Sequence, residues 1–205
     1  GKNEWTAICI RPEHSLLARR PGDKFTPKLI EGNKYGTELV LDMTTYCDDA
    51  CTHYAECVGD DKIKLATTPF CPDGTLLKQD FEVRGELASK CCSIVMKNLW
   101  LARLARPDLF KPCQDLAMCM TKWTKADDKR LRRLIGYMKR SRRFHLRGYV
   151  GDLLENCQLH LYVDADFCGE VEHTKSNSGM FLVMVGPNTW FPLAWQSTRQ
   201  SSTAR

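Results

Sequence analysis

Apolar positions recur along this chain with two different periods, and the change falls near Ser141. From Leu39 to Val58 they fall at Leu39, Met43, Cys47, Ala50, Tyr54 and Cys57, a three-four alternation that predicts one face of a helix. The run "ELASKCCSIVMKNLWLARLA" from Glu86 is apolar almost all round and predicts a buried helix. Pro107 breaks it and suits the first turn of another, where Leu109, Cys113, Leu116, Met120 and Trp123 share a face and Pro112 kinks or delays the start. "TKADDKRLRRLIGYMKR" carries the fullest signal. Thr124 and Asp127 spell a capping box, acids sit in its first turn and bases in its last, and Leu131, Leu134, Ile135 and Met138 form the stripe.

Beyond Ser141 the pattern shortens and alternates. "FHLRGYV", "CQLHLYVDA", "SGMFLVMVG" and "TWFPLAWQ" are rich in β-branched and aromatic residues and predict strands, with Gly186-Pro187-Asn188 as a turn between the last two. Close spacing argues for an antiparallel meander of three strands, and Pro192 places an edge or a bulge in the last one. The fold class is therefore α+β. Upstream, "WTAICI" looks strand-like, residues 59–85 have no sustained period and read as an extended connector, and residues 1–36 resist assignment. The divisions are a poorly defined segment 1–85 with one helix and a connector, a helical segment 86–143, and a β segment 144–205.

Charge changes this picture. Between Lys122 and Arg147 eleven Lys/Arg face only Asp127 and Asp128, so the stretch carries +9 while the whole chain carries +5. Such concentration is either a solvated helix face or the footprint of a polyanion, most simply a nucleic-acid backbone. The candidate contacts are Lys129, Arg130, Arg132, Arg133, Lys139, Arg140, Arg142 and Arg143. No run of about 18 apolar residues is present to span a membrane. The N-terminus lacks the pattern of a signal peptide, and Gly1 in place of Met suggests a piece of something longer. Eleven cysteines, several within helical patterns, read as reduced thiols in an intracellular setting, cytoplasm or nucleus. Cys47, Cys51, His53 and Cys57 do not match usual zinc spacing.

The candidate chemistry lies in "QLHLYVDADFCGE", residues 158–170. On a strand, His160, Tyr162, Asp164 and Asp166 share one face, which sets the two carboxylates about 7 Å apart. Acids so placed suit a divalent cation, and they equally suit a solvated strand end.

"YVDADFCG", "HTKSNSGMFLVMVG" and "TWFPLAWQSTRQSS", in that order, resemble the ribonuclease H domain of copia-type retrotransposon Pol polyproteins. That family shows S-D-A-D-W-A-G, R-S-T-S-G and W followed by S-K-K-Q. Upstream, "LARLARPDLFKPCQDLAMCMTKWT" and "DKRLRRLIGYMKRS" resemble its T-R-P-D-I helix and its basic K-R-I-L-R-Y-L-K helix, which join reverse transcriptase to ribonuclease H. The resemblance covers roughly residues 86–203. It implies a helical thumb or connection segment followed by the three-stranded start of an incomplete ribonuclease H-like fold. It also implies Asp164 as a catalytic ligand of Mg²⁺ in a two-metal site, with Asp166 beside it as a possible further ligand or spectator. Gly169, Ser178 and Gly179 match the family's hairpin, and Arg199 with Gln200 matches its K-Q pair, which places Arg199 among the phosphate contacts. The implied partners are an RNA:DNA hybrid and the rest of the Pol polyprotein. The implied parent activities are RNA-directed DNA synthesis and degradation of RNA in the hybrid.

One departure limits the carry-over. The family places a glutamate in an S-T-x-E-A-E pattern after the third strand, whereas this sequence stops at "SSTAR". The resemblance thus implies a catalytically incomplete fragment that still binds nucleic acid. A competing expectation is a transposon-derived binding or scaffolding protein without activity. "TTYCDDAC" offers a third, because reverse transcriptases carry Y-x-D-D on a hairpin. Here its flanks are polar and helical in period, so the match reads as coincidence, as does "VGDD" at a helix end.

Overall fold

A computed structural model describes residues 5–8, 28–30, 34–60, 62–166 and 177–199. The chain divides into two compact units, one helical over Met43–His145, the other made from residues 4–42 together with 146–205. These units cut across the sequence divisions: the first helix and the connector belong with the later helices, and the early strands with the late ones.

The helical unit contains α1 (Thr44–Val58), α2 (Cys91–Leu104), α3 (Phe110–Cys119) and α4 (Lys125–Arg140). The first helix starts five residues later than its apolar period suggests. Leu39 belongs to a strand instead, since "KYGTELVL" pairs on both sides and pairing satisfies its backbone groups better than a helical turn would. Gly59 closes α1 in the left-handed region at φ 73°, its N–H bonded to the Ala55 carbonyl at 2.8 Å. Asp60 then accepts from Lys62 N–H at 2.8 Å, so Gly59 and Asp60 of "VGDD" are helix-end punctuation.

Each helix contributes its stripe to one core: Cys47, Ala50 and Tyr54; Ile94, Val95 and Leu101; Leu109, Cys113 and Leu116; Leu131, Leu134, Ile135 and Met138. Pro112 lies in the first turn of α3, where its missing N–H would have had no helical partner. Against expectation, α2 is not buried all round; Met96 and Trp100 stand 49% and 45% exposed. The capping box of α4 forms, with Asp127 accepting from the Thr124 N–H at 2.9 Å and the hydroxyl at 2.8 Å.

Two devices lock the unit. The connector crosses α4 at Gly136, where a Cβ would lie 2.2 Å from the Lys64 carbonyl oxygen, so only glycine permits that approach. Arg106, 3% exposed, donates to both oxygens of Asp108 at 2.9 and 2.7 Å and to the Ser141 carbonyl and hydroxyl at 3.1 and 2.7 Å. It thereby joins the start of α3 to the end of α4. Asp108 supports the cation's charge against burial.

The second unit is a sheet ordered β1-β3-β4-β7-β6-β5, with β2 also paired to β3. Its strands are β1 (Trp5–Ile8), β2 (Lys28–Ile30), β3 (Lys34–Leu41), β4 (Leu146–Val150), β5 (Gln158–Asp166), β6 (Asn177–Gly186) and β7 (Thr189–Arg199). All the pairings are antiparallel. The α+β class holds, and β5-β6-β7 form a meander. The sheet is larger than three strands, however, because β4 pairs with both β7 and β3, and β3 brings in β1 and β2. Pro192 marks a bulge: Val183 pairs with Pro192 and Leu182 with Ala194, leaving Leu193 as the extra residue.

Candidate functional site

Asp164 stands on β5 opposite Gly179, and its side chain is exposed. Asp166 pairs with Asn177 through the backbone, but its side chain lies outside the described residues. So do the side chain of Arg199, the last residue of β7, and all of Gly169 and Gln200. Ser178 and Gly179 are not turn residues; they sit inside β6, paired with Ala165 and Asp164. A Cβ on Gly179 would meet only the Asp164 carbonyl, at 3.8 Å, so packing does not demand glycine there. Among the described residues no three His, Cys, Asp or Glu side chains group so as to hold a metal ion. A Mg²⁺ ion asks for six oxygens, and the described part of β5 contributes the carboxylate of Asp164.

The basic block separates into two parts. In the first three turns of α4, Lys129, Arg130 and Arg133 are engaged by protein groups, two of them from the connector. Lys129 pairs with Asp80, a carboxylate only 3% exposed at the tip of the connector. That pairing, with a bond from the Leu77 N–H, holds the Asp80 carboxyl below the usual carboxylate range. Arg130 reaches Asp127 at 3.2 Å and lies 5.4 Å above the Phe81 ring. Arg132 lies beside Tyr54, whose hydroxyl raises its already high pKa. Arg133 donates to the Thr68 carbonyl at 3.0 Å and hydroxyl at 2.9 Å. Lys129 and Arg133 fasten the connector to α4.

The end of the helix differs. Lys139, Arg140 and Arg143 are exposed and make no hydrogen bond or ion pair among the described residues. Arg142 is 44% exposed and meets an equally exposed Asp48 at 3.2 Å, a pair that solvent screens heavily. Phe144, 61% exposed, follows directly and stacks 5.5 Å from the Arg106 guanidinium. Of the eight α4-region cations named from the sequence, those at positions 139–143 therefore form the accessible cluster.

The remaining motifs resolve into structure. Tyr46-Cys47-Asp48-Asp49 lies within α1 and not on a hairpin. Tyr46 packs on Trp100 with centroids 4.8 Å apart and donates its hydroxyl to the Lys97 carbonyl at 3.2 Å, while Cys47 points into the core. The cysteine cluster is split: Cys47 and Cys51 are buried, and the neighbouring Cys47 sulfur, with burial added, pushes the Cys51 thiol far up. His53 instead faces Ser93 at 3.2 Å and Cys57 at 3.9 Å. All nine described cysteines are unpaired. Burial raises the Cys119 thiol to about 11 and the Cys113 thiol further, so both stay protonated at neutral pH.

No family model, curated protein or solved structure matches this chain. Sequence reasoning also passed over a small cleft of about 120 Å³ lined by Tyr54, Cys57, Glu86, Lys90, Asp128 and Arg132. Its charges nearly cancel, and Asp128 is engaged by the Trp123 indole at 2.6 Å and the Glu86 N–H at 2.6 Å. Nothing in the sequence could have announced it, because its lining comes from three separate segments.

No helix among the described residues is long and apolar enough to cross a membrane.

Proposed function

We propose that this chain is part of a copia-like Pol polyprotein and that its helical unit binds the nucleic-acid backbone through Lys139, Arg140, Arg142 and Arg143. The observation that carries the reading is the exposure of these side chains at the end of α4, whereas Lys129, Arg130 and Arg133 are held by Asp80, Asp127 and Thr68. A cluster of solvent-exposed cations attracts phosphates regardless of base sequence. An RNA:DNA hybrid is the partner that the family resemblance suggests.

The ribonuclease H reading of the sheet belongs to the same proposal. It is supported by the antiparallel β5-β6-β7 meander and by Asp164 near the end of its first strand. In that reading Asp164 is one carboxylate of a Mg²⁺ site.

Hybrid binding at low salt, read by fluorescence anisotropy, tests the first part. Reversing Lys139, Arg140 and Arg143 to glutamate should lower the slope of log affinity against log salt by roughly two to three. An unchanged slope would mean a merely solvated helix end. The second part is tested in a longer chain that includes an S-T-x-E-A-E helix. There Asp164→Asn should abolish cleavage of the hybrid's RNA strand, and surviving cleavage would remove Asp164 from the site.

A further inference from the structure

We propose that Phe144 is a stacking platform for an unpaired base, so that the basic end of α4 takes single-stranded nucleic acid in preference to a duplex. This rests on the functional reading above and names the form of nucleic acid that the site takes. The sequence puts the pieces within six residues, "KRSRRF", four cations and one aromatic ring. The structure holds them in place. The Phe144 N–H donates to the Ser141 carbonyl at 2.9 Å, closing a β-turn with Arg142 and Arg143 at its corner positions. Arg106 donates to that same carbonyl at 3.1 Å and to the Ser141 hydroxyl at 2.7 Å. The Thr44 hydroxyl donates to the Arg142 carbonyl at 3.3 Å. The turn is thus fixed before a ligand arrives, which spares the binding step the cost of ordering it.

On this turn the ring and the charges lie side by side. Lys139, Arg140, Arg142 and Arg143 are exposed, and Phe144 is 61% exposed. One face of the ring lies 5.5 Å from the Arg106 guanidinium, a planar cation that is itself 3% exposed and held by Asp108 and Ser141. The ring is therefore backed on one side and open on the other. A protein segment laid over it would also have to take the adjacent Arg142 and Arg143 out of water, which costs more than one ring returns. A nucleic-acid strand meets both needs, with phosphates for the cations and a base plane for the ring. In a duplex the bases stack on one another and leave the ring no free plane, so a duplex uses the cations alone.

The test is fluorescence anisotropy of a labelled oligothymidylate and of a blunt-ended duplex of the same length, each titrated with the 205-residue chain. Phe144→Ala should weaken single-strand binding about tenfold and leave duplex binding within about twofold. The slope of log affinity against log salt should not move, because no charge is lost. Phe144→Leu keeps an apolar side chain without a π face and should bind like Phe144→Ala, whereas Phe144→Trp should bind like the parent. Melting curves equal to the parent's separate loss of stacking from loss of fold. Binding of both oligonucleotides with a steep salt slope but no response to Phe144→Ala would overturn this inference alone, as would equal losses on the two or a Phe144→Leu variant that binds as well as the parent. A chain that binds neither would overturn the functional reading and this inference with it.

Discussion

The helical unit and the sheet unit solve the problem of apolar surface in opposite ways. Among the described residues nearly every fully buried hydrophobic side chain belongs to α1–α4 and their connections, whereas the sheet contributes Val183 and Met184. Conversely, the most exposed aliphatic side chain of the described residues is Val163 on β5, at 72%. A helix stripe is covered by another stripe within the same short stretch of chain. A strand has two faces and two edges, and this sheet leaves some of each uncovered. The lesson is that the helical unit has the makings of independent stability, while the described part of the sheet has fewer of them.

The largest effect should therefore come from truncation inside the helical core. Leu134→Ala should cost about 2–5 kcal/mol in urea unfolding, because Leu134 is 1% exposed and its cavity has rigid helices around it. The matching change on the strand, Leu161→Ala, should fall within about 0.5 kcal/mol. Equal costs would erase the contrast.

Next in size is Gly136→Ala. Helix propensity alone predicts a gain of about 1 kcal/mol. The clash with the Lys64 backbone predicts a net loss of about 1–3 kcal/mol instead, and a stabilised variant would mean that the connector does not press on α4.

The smallest effect concerns pH. The Asp80 carboxyl is held low by Lys129, so the folded state binds its proton less readily than the unfolded state. Its contribution is present above the ordinary carboxylate range and is lost as pH falls through the depressed value. Asp80→Asn should accordingly be less stable than the parent at pH 7, with the difference shrinking towards acid in paired thermal melts. A constant difference would assign the loss to packing and not to charge.

Much of this was legible in the chain. The α4 boundaries follow from Thr124, Asp127 and a stripe with helical spacing, and the meander from strict alternation around "QLHLYVDA". The edge between β3 and α1 was not, because Leu39 happens to continue the helical period while its backbone is taken up by strands from both sides. Nor was the division of the basic block. Lys129 and Arg133 look identical to Lys139 and Arg140 in sequence, and what separates them is contact with Asp80 and Thr68, which lie 49 and 65 positions away. Local pattern reports which face of an element is wet; it does not report which distant loop will sit on that face. For Asp164 the sequence supplied the strand and its facing, and the structure adds its exposed place at the sheet's outer border.

The strand β7 is shared unequally, and this has a consequence for how the sheet is put together. It registers with β6 along almost its whole length but with β4 at one position, Tyr149 to Trp190. The backbone ladder there is one rung, and side chains carry the rest of the join: the Thr189 hydroxyl accepts from the Gly151 and Asp152 N–H groups at 3.1 Å, and Asp152 accepts from the Asn188 N–H at 2.6 Å. Thr189→Val should therefore leave the Gly151 and Asp152 amides open to hydrogen exchange while those of the β6-β7 ladder stay protected.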